Sequence, residues 1–152
     1  MNYKTRTVIV EVISAIFILL FVYAALSKIL DYEKFRVELG KSPLFNAFPG
    51  ATSVIVPLTE IVIALLLIVK RYQYLALYIS FSLMVMFSVY IWIILKFSPY
   101  IPCSCGGVLQ NMTWTQHLIF NIGFVILGAI GILVYPSNIK TLSAVRGKAC
   151  AL

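Results

Sequence analysis

Charged residues are spaced along this chain so that four long apolar windows lie between them. The first runs from about residue 8 to 26, with Lys4 and Arg6 ahead of it, Lys28 and Asp31 behind it, and only Glu11 inside. The second, 51–69, carries Glu60 near its middle. The third, 74–95, is the clearest, since nothing between Arg71 and Lys96 is charged. The fourth, 117–135, is closed by Tyr135, Pro136, Ser137 and Asn138, a helix-stopping sequence. A helix needs about 20 mostly apolar residues to cross the hydrocarbon core of a bilayer. Apolar segments in lipid must satisfy their own backbone hydrogen bonds, so these windows predict helices, and the alternating pattern of a membrane barrel is absent. The expectation is an all-α integral membrane four-helix bundle. It forms one domain over residues 1–152, with 136–152 as a short basic tail on the lipid headgroups.

Composition agrees. With 62% hydrophobic and 11% charged residues, the chain lies outside the range of soluble globular domains. Its net charge of +7 needs no nucleic acid, because topology and anionic headgroups account for it. The first window has a second reading as a secretory signal, suggested by its basic start and the small residues after Tyr23. Its length, Glu11 and the want of a cleavage triplet weigh against that.

Basic residues accumulate on the cytoplasmic side. With the N-terminus inside, the cytoplasmic segments hold Lys4, Arg6, Lys70, Arg71, Lys140, Arg146 and Lys148, and the outer ones hold Lys28, Lys34, Arg36, Lys41 and Lys96. Seven against five favours a multi-pass protein with both termini inside. Cys103 and Cys105 then face the outer side, where disulfides persist, and Cys150 lies in the reducing compartment.

Between the third and fourth windows stands "YIPCSCGG", residues 100–107. Pro99 and Pro102 set an extended approach, while Gly106 and Gly107 permit a sharp turn. Three readings of the cysteines stand side by side. They can be ordinary small loop residues. They can pinch a soft metal ion, although a closed site needs more ligands and none cluster around them. Or they can be a thiol–disulfide couple, since so tight a ring stores strain and is easily reduced. The placement at an outer membrane edge favours the last, and no metal site is expected.

The sequence after the loop, 111–121, places Trp114, His117 and Asn121 on one helical face. A histidine there can stabilise a thiolate or carry its proton. Trp114 also reads as an interfacial anchor. Asn111, Met112 and Thr113 match a glycosylation sequon, a frequent accident.

Glu60 is costly in mid-membrane unless paired, protonated or facing a polar cavity. Pro57, three residues earlier, frees the carbonyl of Ser53. Together they mark an inward-facing polar spot, read either as a proton relay or quinone-facing group, or as a neutral Glu bonded to Ser53, Ser80, Ser82 or Ser88. Glu11 is read as structural, reaching water or Arg6. Gly123, Gly128 and Gly131 are expected to allow close helix contact.

The chain resembles the MauE/DoxX-like redox-associated membrane proteins, through "ALSKILDYEKF", "PLTEIVIALLL", "CSCGG" and "WTQHLIFN" in that order, over about residues 8–135. The resemblance implies a four-helix bacterial inner-membrane protein associated with periplasmic thioredoxin-like proteins and with disulfide formation in exported proteins. It matches Cys103 and Cys105 to the redox pair, Gly107 to the following glycine, and Pro57 with Glu60 to a Pro-x-x-Glu motif. The function expected is thiol–disulfide exchange by the outward Cys-x-Cys loop, with a membrane quinone or a partner protein taking the electrons. The alternative is a non-catalytic subunit of a larger membrane complex.

Overall fold

The computed structural model describes residues 2–41, 47–97 and 113–135. They form five helices: α1 (Tyr3–Leu30), α2 (Tyr32–Lys41), α3 (Pro49–Ile68), α4 (Gln73–Phe97) and α5 (Trp114–Val134). No strand occurs among the described residues. All but α2 are long and apolar enough to cross a membrane, and they contain or nearly contain the four predicted windows. The all-α four-helix membrane architecture is therefore observed. The helices overrun the charge-free windows because backbone hydrogen bonding continues through flanking polar residues. At 28 residues α1 is about 42 Å long, more than the hydrocarbon core requires.

Local signals set the ends. Pro49 sits in the first turn of α3, where a missing N–H costs nothing. Thr113 caps α5 through a reciprocal box. Its hydroxyl accepts from the Gln116 N–H, and the Gln116 side chain accepts from the Thr113 N–H at 2.9 Å. The last residue of the sequon thus acts as a helix start. Between α3 and α4 the turn is tight, with the Tyr72 N–H donating to the Val69 carbonyl at 2.9 Å.

α1 packs most extensively along α3, and α4 along α5, while α3–α4 and α1–α5 contacts close the ring. α1 and α4 thus stand on one diagonal and α3 and α5 on the other. Phe17, Phe21, Ile63, Leu67 and Leu77 fill the centre, each no more than 2% exposed. Phe124 meets Phe17 edge-on at 5.4 Å. Two glycines of α5 admit this packing. A Cβ at Gly128 would lie 3.3 Å from Phe81 Cβ, and one at Gly131 would lie 3.2 Å from Ile13 Cγ2. Gly123 differs from expectation: a Cβ there would meet nothing within 4 Å, so no helix packs against it.

No more than a third of any spanning window is buried, and the outward positions are residues such as Leu19, Leu65 and Leu133. An apolar exterior of this kind on four spanning helices makes the chain a multi-pass membrane protein.

α2 was not expected. Its Phe35, Glu38 and Leu39 are buried, and it lies against α3 at the end of the bundle where α1 finishes and α3 begins. The opposite end, at the tight turn, holds two polar links between helices. Glu11 pairs with Lys70 rather than with Arg6, both exposed, and Gln73 Nε2 donates to Ser14 Oγ at 3.0 Å inside the bundle.

Candidate functional site

Lys28 continues the buried stripe of α1 formed by Phe17, Phe21 and Ala25, at helical spacing from each. Its ammonium therefore points into the bundle. Nζ donates to Glu60 Oε1 at 2.7 Å and to the Ala24 carbonyl at 3.3 Å, and lies 5.9 Å from the centre of the Phe35 ring. The Lys28 side chain is 14% exposed and that of Glu60 only 2%. A lone carboxylate at this depth would be very costly, and the ammonium offsets that cost.

The pairing corrects the expected partners of Glu60. Ser53 donates instead to the Gly50 carbonyl at 2.8 Å, and its hydroxyl lies 3.3 Å from Tyr32 Oη, which can donate to it. Ser80, Ser82 and Ser88 each donate to a carbonyl one turn back in α4. The second oxygen, Glu60 Oε2, is buried and has no hydrogen-bond partner among the described residues.

Glu60 and Lys28 face a cavity of about 430 Å³ at the α2 end of the bundle. All five helices contribute. Phe21, Phe87 and Phe120 give it an aromatic wall, and Phe35 and Leu39 of α2 lie over it. His117 and Asn121 bring polar groups from α5, across the ring of helices from α3. Asn121 is 5% exposed, and His117 lies 6.2 Å from Trp114, centre to centre. Trp114 also lines the cavity, so its position is more than that of an interfacial anchor.

The structure thus gathers four of the sequence-derived candidates, Glu60, Trp114, His117 and Asn121, around one space. Pro57 is buried in α3 one turn before Glu60 but does not line the cavity. Cys103, Cys105, Gly106 and Gly107 lie outside the described residues, on the segment joining the end of α4 to the start of α5. Both of those helix ends belong to the cavity's end of the bundle. Among the described residues no group of three or more His, Cys, Asp or Glu side chains is placed to hold a metal ion.

Lys28 is the residue that sequence reasoning missed, because it was counted as a loop cation. Its seven-residue spacing from Phe21, inside an otherwise apolar stripe, was the available signal.

The family model described as "Methylamine utilisation protein MauE" matches residues 6–134. Neither the curated proteins nor the solved structures contain a significant match.

Proposed function

From the premise that this chain belongs to the MauE family, we propose that it is a membrane thiol–disulfide redox protein whose Cys103–Cys105 pair exchanges with an exported thioredoxin-like protein. The observation that carries this reading is the cavity with its buried ion pair at the bundle end where the cysteine segment is attached. A redox loop needs somewhere for electrons and protons to go. A protonatable carboxylate, an ammonium and an imidazole within the bilayer, at the end of the bundle to which that segment is joined, supply the proton-handling groups.

In the exchange, a thiolate of one protein attacks a sulfur of the other's disulfide and forms a mixed disulfide. The neighbouring thiolate then attacks that bond and releases the partner. One disulfide forms as the other is broken, two electrons pass between the proteins, and the two protons move in the opposite sense to the new disulfide. The chain's outer segments hold no third cysteine if both termini are inside, so the electrons leave or arrive through another molecule.

The bundle also favours the outward placement of the loop in a bacterial inner membrane. Setting aside Lys28, paired with Glu60, and Lys70, paired with Glu11, leaves four basic residues in the outer segments against six inside.

The test is capture of the mixed disulfide. In a Cys150→Ser background, Cys103→Ser and Cys105→Ser are each expressed and membranes are acid-quenched. One of the two variants is expected to hold a partner covalently, released by reductant. If neither captures a protein and both retain function in the cell, the chain is an accessory subunit instead.

A further inference from the structure

We propose that the cavity binds the head group of a membrane quinone between the Lys28–Glu60 pair and the Phe87 and Phe120 rings, and that this quinone takes the electrons of the cysteine pair. The electron-transfer half rests on the thiol reading above; the binding half does not.

The cavity has the dimensions of a small-molecule site, since such sites run from roughly 300 to 1,000 Å³ with mostly apolar walls and a few convergent polar groups. Its 430 Å³ suits one ring with its substituents, entered from the lipid that surrounds the helices. The polar groups then narrow the chemistry. Glu60 Oε2 is an acceptor without a donor among the described residues, at a residue 1% exposed. Lys28 has three N–H donors, of which two are engaged by Glu60 Oε1 and the Ala24 carbonyl. The ligand must therefore both accept and donate at nearly one point.

A fatty-acid carboxylate fails this requirement. Its anionic oxygens would face the Glu60 carboxylate and leave Oε2 unpaired, at the cost a buried unsatisfied group carries. A quinone carbonyl accepts from the ammonium, and the hydroxyl that replaces it on reduction donates to Oε2. The quinol thus satisfies both residues, whereas the quinone engages Lys28 alone. His117 and Asn121, on the helix opposite α3, offer hydrogen-bonding groups for the second ring oxygen.

The reaction balances. The Cys103 and Cys105 thiols form one S–S bond and lose two S–H bonds. Two electrons pass to the quinone ring, and two protons end on its oxygens to give the quinol. Glu60 occupies the position from which one of those protons is delivered. The direction of the exchange follows: with a quinone as oxidant, the protein inserts disulfides into its exported partner.

The test uses the purified full chain in detergent with decylubiquinone and menadione as probes, read by quenching of tryptophan fluorescence, since Trp114 lines the cavity. Saturable quenching by at least one quinone is expected. It persists in Cys103→Ser/Cys105→Ser. It weakens about tenfold or more in Glu60→Gln, and also in Lys28→Met/Glu60→Gln, which removes both charges together and keeps a neutral interior. Helix content by circular dichroism confirms that each variant is folded. No saturable quenching by either quinone, full affinity in the folded double variant, or displacement by equimolar oleate would overturn the binding site. A quinone that binds normally but is not reduced by the wild-type dithiol, followed by absorbance, overturns the electron-transfer half while the site stands, and the thiol reading is decided separately by the mixed-disulfide capture.

Discussion

Lys28 and Glu60 meet across α1 and α3 at 2.7 Å, in surroundings where neither charge is tolerable alone. Removing one member of such a pair costs about 3–5 kcal/mol, because the survivor stays buried and uncompensated. Lys28→Met and Glu60→Gln should therefore each unfold at markedly lower denaturant than the wild type. The double variant should recover most of the loss, which a double-mutant cycle in a lipid-detergent mixture measures directly. Additive losses in the cycle would mean the two side chains do not interact. At this scale the sequence showed half of the site. A carboxylate in mid-span announces itself, whereas a lysine near a helix end looks like any flank, since only the inward direction of its side chain sets it apart. The serine partners first assigned to Glu60 illustrate the same limit. A hydroxyl in an apolar helix finds the carbonyl one turn back more easily than a side chain on another helix, and Ser80, Ser82 and Ser88 all do so.

Helix contacts separate the three glycines of α5. A Gly131→Val change drives a β-branched side chain against Ile13, and Gly128→Leu drives a larger one against Phe81 and Phe17. Overpacking of this kind costs about 1–3 kcal/mol. Gly123→Ala, facing open space, should be neutral or stabilising by up to about 1 kcal/mol from helix propensity. Thermal unfolding of the three variants checks that order, and equal losses at all three positions would contradict the packing. Thr113→Ala removes the capping box of α5 and should cost about 1 kcal/mol. The four spanning helices were legible because length and apolarity alone define them. α2 was not, since its ten residues mix Phe35 and Leu39 with charged neighbours and need the α3 surface to become a buried face. Its loss from the reading mattered, because Phe35 and Leu39 lie over the cavity.

In the whole molecule, two polar ends enclose an apolar middle, and the ends differ in kind. The tight-turn end carries exposed Glu11–Lys70, a contact screened by water and of small energetic worth. The α2 end carries the buried pair, the cavity and the attachment of the cysteine segment. With this end outward, an impermeant thiol reagent applied to intact spheroplasts after reduction should label Cys103 and Cys105 and spare Cys150. Labelling of Cys150 alone would invert the topology. The coupling of the two functional parts is tested most directly by the oxidation state of Cys103 and Cys105 in living cells, read as an alkylation mass shift in a Cys150→Ser background. The pair should be mainly oxidised when Lys28 and Glu60 are present, and should accumulate as dithiol in the folded Lys28→Met/Glu60→Gln variant. An identical oxidation state in both proteins would contradict any link between the cavity and the cysteines.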